Sequence, residues 1–167
     1  MADELYAVAG MKFFIGGIMQ TKNGDFVAGD FSGQSWIEVD GWETVGGFGD
    51  NAQAITVQLV NRGRDVKLKG TSNAGQMQNN FAILRDDPGQ IALISAAEGS
   101  NKNNYAFKVV GNDKPASGVA PKATEQFFIG LVMSATEQGG NANTARLMQV
   151  TVEINSNIVT VPATTGS

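Results

Sequence analysis

The chain contains no cysteine and no histidine. The first absence excludes disulfides, thiolate metal sites and cysteine nucleophiles. The second removes the commonest metal ligand and the usual general base near neutral pH, so Ser-His-Asp catalysis and His-ligated zinc are both impossible. Only carboxylate or lysine mechanisms remain, and the expectation is a protein that is not an enzyme and carries no cofactor or metal. Charge is also scarce, at 17% of residues against a typical ~25%. The formal net charge is −4, from 16 acidic and 12 basic residues. A chain of that balance does not bind nucleic acid through a broad phosphate-neutralising patch. No apolar run approaches the roughly 20 residues needed to cross a bilayer. The opening Met1-Ala2-Asp3-Glu4 is acidic and lacks the order of a signal peptide, so synthesis and folding in a cytoplasm are expected.

Polarity is carried instead by amides, hydroxyls and 21 glycines. Such an uncharged polar surface suits a protein largely covered by neighbours. The 167 residues suffice for one domain with a sizeable core, expected over 11–162 between an arm at 1–10 and a loose tail at 163–167. Period-2 alternation marks many short strands. Met11 to Ile18 reads as one, followed by a turn-rich stretch in which Asn23-Gly24 signals a hairpin. Trp36 to Asp40 reads as the next, then a flexible exposed loop around Gly46 to Asn51. Ile55, Val57 and Leu59 alternate with Thr56 and Gln58; beyond the turn Asn61 to Asp65, Val66 and Leu68 alternate with Lys67 and Lys69. Further strands run through Met77–Ile83, Tyr105–Val109, Phe127–Met133 and Met148–Ile154, and a final run, Ile158 to Val161, is expected to pair back across Asn155-Ser156-Asn157.

One segment breaks the pattern. Asp87-Pro88-Gly89-Gln90 has the order of a helix start, with Asp as N-cap and Pro at the first helical position. A helix of about three turns over 87–98 follows, closed by Gly99. Its apolar residues go most of the way round, which predicts a sheet against one side and something else against another. The sum is a mainly β chain, a β-sandwich or barrel with one flanking helix.

No motif carries chemistry. Gly47-Phe48-Gly49-Asp50-Asn51-Ala52 fits the loose G-x-G-x-x-A dinucleotide pattern, but a strand follows it where a phosphate-holding helix is required. Asp86 and Asp87 are explained by the helix start. Asp25 and Asp30 lack the spacing of a calcium loop. Arg62, Arg64, Lys67 and Lys69 form the densest basic cluster, yet no aromatic interleaves from Asn61 to Gly70, so they read as a polar face pairing with acids on a neighbouring subunit.

Val66 to Ala82 (VKLKGTSNAGQMQNNFA) carries a K-x-x-G-T-x-x-A-G strand-turn-strand, then Phe81 and the acidic helix start Asp86-Asp87-Pro88-Gly89-Gln90. With Asn104 to Val109 after the helix and Trp36 to Gly49 before the first of these elements, the ordered set resembles the tail-tube (major tail) proteins of long non-contractile-tailed bacteriophages over residues 11–155. The resemblance implies hexameric rings stacked into a hollow tube for DNA passage, kinship with the type VI secretion tube protein, and a virion tail assembled in the host cytoplasm with tail-tip, tape-measure and terminator proteins. It brings no active-site residues. On this reading Glu38, Asp40, Glu43, Glu125 and Glu153 are lumen candidates, since an acidic wall repels phosphate. Gly46, Gly47, Phe48, Gly49, Asp50 and Asn51, with the arm, are ring-to-ring contact candidates, and the basic cluster is a subunit-contact candidate. Rival readings are a type VI-like or gene-transfer-agent tube, a decoration or pilus-like subunit, and a small β-barrel binding module built around Trp36, Trp42 and Tyr105.

Overall fold

The computed structural model describes residues 5–166. Among the described residues ten strands and one α-helix form a mainly β fold. In chain order the strands are β1 Lys12–Ile18, β2 Ile37–Val39, β3 Trp42–Thr44, β4 Asn51–Val57, β5 Val66–Asn73, β6 Gln76–Ala82, β7 Tyr105–Val110, β8 Glu125–Gln138, β9 Leu147–Ile154 and β10 Val159–Val161; the helix α1 is Pro88–Ala96. All but β4 and β5 join one antiparallel sheet, ordered β2-β1-β7-β8-β9-β6-β3, with β10 on β8. The two ends of that order, β2 and β3, are joined by Asp40-Gly41 alone. So short a link holds the sheet's opposite edges together, and the sheet rolls.

Alternation supplies the inner lining. Phe13, Ile15, Met77, Phe81, Phe107, Val109, Phe128, Met148, Val150 and Val152 are all buried in one core. Phe13 of β1 meets Trp42, Phe81 and Phe107 at ring-centroid distances of 5.3, 5.9 and 5.6 Å, which brings strands from opposite sides of the roll together. A second, smaller core lies on the outer face, where Phe26 and Phe31 cover Ala106, Phe127 and Ile129. The segment between β1 and β2 is therefore a flap with one 3₁₀ turn at Ala28–Phe31, and the hairpin expected at Asn23-Gly24 does not form. Burial of the two phenylalanines outweighs the local turn signal.

The helix begins as its sequence dictates. The Asp87 carboxylate accepts from the Gln90 amide at 2.9 Å, capping the first turn, and Pro88 opens it. Leu93 and Ala96 face the core. Gln90 is buried but fully used: its Nε2 donates to the carbonyls of Asp40 and Ala82, both at 2.8 Å, and its Oε1 accepts from the Leu84 amide at 3.0 Å. One side chain thus ties the helix to the β2–β3 link and the end of β6. Gly89 sits so close to β2 that a methyl there would overlap the Glu38 carbonyl.

One expectation about the C-terminal segment is corrected. The run after Asn155-Ser156-Asn157 does not fold back on β9. β10 instead pairs Val159 with Phe127 and Val161 with Glu125, continuing along β8 on the line that β9 leaves at Ile154. The intervening residues jog rather than reverse: Asn155 donates to Ile129 at 2.9 Å, and the Ser156 hydroxyl accepts from the Ile129 amide at 3.0 Å. Backbone bonds reach into the last residues described. Thr164 and Lys122 exchange backbone bonds of 2.8 and 3.1 Å, and Ala120 donates to Thr165 at 3.1 Å.

Candidate assembly surface

β4 and β5 stand apart as a two-stranded ribbon. The register pairs Ile55 with Leu68 and Val57 with Val66, and Ala54 with Lys69 and Thr56 with Lys67. Directly paired residues share a face, so the ribbon has an apolar face (Ile55, Val57, Val66, Leu68) and a face bearing the two lysines. The apolar face is uncovered: Ile55 and Leu68 are 48% and 56% exposed, and Val60 in the turn is fully exposed. An isolated two-stranded ribbon is marginal in water, and a contiguous apolar row left open marks an interaction surface. The alternation of these residues was legible as strands. That no third element covers them was not, because nothing local specifies it.

The basic cluster belongs to this ribbon. Arg62 and Arg64 lie in its turn, and Lys67 and Lys69 on the face opposite the apolar row. The ring-contact candidates at its base divide. Gly46 is packed so tightly that a methyl would overlap the Gln78 backbone, and its amide donates to Asn79 Oδ1 at 2.8 Å. Phe48 packs its ring 6.0 Å from Phe128. Gly47, Gly49 and Asp50 are exposed, and Asn51 opens β4. The loop expected to be flexible and exposed is therefore anchored over its first half. The anchor is Asn79, fully buried, whose Oδ1 also accepts from Trp42 Nε1 at 3.1 Å while its Nδ2 has no partner.

The five acidic lumen candidates do not form one cluster. Glu38 lies on β2, Asp40 in the β2–β3 link, Glu43 on β3, Glu125 at the start of β8 and Glu153 on β9. Glu125 stands 3.7 Å from Lys108, which also lies over the Phe14 and Trp36 rings at 4.4 and 5.3 Å. A more uniform surface occupies the outer face of β6, β9 and β8. There Gln76, Gln78 and Asn80 pair with Glu153, Thr151 and Gln149, and the latter two with Ser134 and Thr136. Apart from Leu131, which pairs with Glu153, this face offers amides and hydroxyls with one carboxylate.

The three aromatics considered for a ligand site are packing groups: Trp42 against Phe13 and Phe81, Trp36 against Phe127 at 5.8 Å, and Tyr105 against the main core with its hydroxyl accepting from Asn101. Asp30, in the 3₁₀ turn, accepts from Lys22 at 2.7 Å and from the Val27 amide, which lowers its pKa, and Asp25 is exposed beside it. Asp113 is likewise held below the ordinary carboxylate range by the Thr124 hydroxyl and amide. Among the described residues no group of three or more acids could hold a metal ion.

No family model matches the chain, and no curated protein matches its sequence. Solved structures do match its fold. The SPP1 tail tube superposes with a TM-score of 0.65 at 17% identity, covering 93% of this chain and 80% of that one. This chain shares the tail-tube fold. A chain of the 6-fold symmetrised anti-feeding prophage baseplate matches with a TM-score of 0.68 at 8% identity, over 95% of this chain and 97% of that one. A chain of the sheath/tube terminator of an extracellular contractile injection system also reaches 0.68, at 9% identity over 96% and 99%. The fold is thus common to tubes of phage tails and of contractile systems, and the similarity does not select the non-contractile type.

Proposed function

We propose that this chain is a structural, non-enzymatic subunit that forms hexameric rings and stacks them into a hollow tube, conducting DNA in a phage tail. The observation that carries the reading is the β4–β5 ribbon, a two-stranded element outside the main sheet that carries an exposed apolar row. A partner that covers it in every copy builds a repeating contact. A contact between two different surfaces of one chain is heterologous: it makes a ring where its rotation closes and grows without limit where it does not, the two contacts a stacked tube requires. Pairing or covering the ribbon also removes an edge that is a liability in a lone monomer.

The amide and hydroxyl face of β6, β9 and β8 is the surface we assign to the passage. It has no basic side chain to grip phosphate and one carboxylate, Glu153, from the acidic set. Glu38, Asp40, Glu43 and Glu125 remain secondary candidates for that wall. The exposed part of the Gly46–Asn51 loop and the arm, where Leu5 and Val8 are exposed, are the proposed ring-to-ring contacts. Tail-tip, tape-measure and terminator proteins are the expected partners, in a virion tail assembled in the host cytoplasm. A second reading, the tube of a contractile or type VI-like injection particle, is favoured by the fold likeness to such systems.

The test is negative-stain electron microscopy of the purified protein, dilute and concentrated, with and without a tail-tip complex. Rings or hollow tubes with six-fold end views are expected. Monomers that persist at high concentration with the tip complex present would refute the tube reading.

A further inference from the structure

The ribbon's apolar face has a complementary surface on the same chain. Beside α1 lies a groove of about 500 Å³ whose walls include Ile83, Leu84, Ile91, Ile94, Ala135 and Met148. Leu93 and Ala96 take the core side of the helix, leaving Ile91 and Ile94 53% and 51% exposed on the other. The helix thus buries one apolar row and presents a second. Within one molecule the two surfaces stay apart: α1 packs on β1, β2 and β8, while β4 and β5 pack chiefly on each other.

We propose that the β4–β5 ribbon of one copy docks its apolar face into the α1 groove of a second copy. This rests on the tube reading and names its repeating contact. Three features support the match. The shapes are opposite, a projecting two-stranded ribbon and a concave groove. Both are apolar at the centre and polar at the rim, the anatomy of a specific interface. The rims also differ in charge. Arg62 and Arg64 in the ribbon's turn are accompanied by one acid, Asp65. The groove lining itself carries Arg85, Glu137 and Arg146, and the helix ends beside it add Asp86, Glu98 and Asp87, whose carboxylate also accepts from the Asp40 and Gln90 amides. Arg146 is already engaged by Glu137 through two bonds of 3.0 and 2.8 Å, leaving the excess acidic. With the apolar row seated, Lys67 and Lys69 face away from the groove. Because donor and acceptor are different surfaces, the contact leaves the first copy's groove and the second copy's ribbon unused, and chain growth follows.

The absence of cysteine makes the test clean. Single-cysteine chains Leu68→Cys and Ile94→Cys are mixed, assembled and treated with a short bis-maleimide; Ile91→Cys serves as a second groove position. All three sites are exposed, and circular dichroism checks that each variant keeps its fold. Assembled protein is expected to give ribbon-to-groove crosslinks about a thousandfold faster than the same mixture held dilute and unassembled, the ratio of a millimolar effective concentration to micromolar protein. Leu68→Cys mixed with Val119→Cys, an exposed position in a distant loop, is expected to show no such gain. Rings or tubes that form normally but crosslink Leu68 to neither groove position overturn the docking inference while leaving the tube reading intact. A chain that never assembles overturns both.

Discussion

The double substitution Ile55→Ser with Leu68→Ser separates a surface kept for assembly from one kept for folding. Full burial of an isoleucine or leucine side chain is worth about 1.5–3 kcal/mol relative to exposure. The chain alone covers only part of each, leaving 48% and 56% open. What a partner gains by covering the remainder is then about 2 kcal/mol for the pair. At 1.4 kcal/mol per tenfold, the critical concentration for ring or tube formation should rise about 30-fold. By the same measure the covered halves contribute about 2 kcal/mol to the monomer, so its stability should fall by no more than about 2 kcal/mol, or about 4–8 °C in Tm for a domain this size. Sedimentation of assembled material across a concentration series reads the first quantity, and thermal unfolding of dilute protein reads the second. A variant that unfolds much earlier yet assembles at the unaltered concentration would refute the argument, since the ribbon's apolar row would then serve the fold and not the partner.

Two further outcomes follow from polar groups inside the fold. Gln90→Leu leaves the carbonyls of Asp40 and Ala82 and the Leu84 amide without their partner; at about 1–3 kcal/mol for a buried group left unsatisfied, a loss of roughly 3 kcal/mol is expected in denaturant unfolding, against about 1 kcal/mol for removing the Asp87 cap with Asp87→Ala. Asp113, whose carboxylate accepts from the Thr124 amide and hydroxyl, has a folded pKa below its unfolded one. Its stabilising contribution is therefore complete above the ordinary carboxylate range and is lost as pH falls through the depressed folded value. Asp113→Asn should flatten that acid-side loss, and an unchanged stability-against-pH curve would show that the contact carries none of it.

Much of the chain could be read directly. The strand positions follow from side-chain alternation, because a period of two places every second residue on one face whatever the strand's neighbours are. The helix start follows from Asp87-Pro88, whose cap and fixed φ act within one turn. Cysteine and histidine counts bound the chemistry without any structure. Pairing was not legible in the same way. Nothing local in Val159 to Val161 distinguishes pairing with β9 from pairing with β8, and the jog at Asn155–Asn157 is set by bonds to Ile129, more than twenty residues away. Asn23-Gly24 favours a hairpin locally, but the burial of Phe26 and Phe31 against β7 and β8 decides that segment.

The candidate surface divides along the same line. The sequence by itself determined that Ile55, Val57, Val66 and Leu68 alternate with polar residues, and that α1 is apolar nearly all the way round. Only the tertiary structure decided that β4 and β5 join no larger sheet, that Leu93 and Ala96 turn inward while Ile91 and Ile94 turn out, and that a groove opens beside them. The reason is physical: alternation is a property of one segment's backbone geometry, whereas coverage of a face depends on which distant segments the rolled sheet leaves free to reach it.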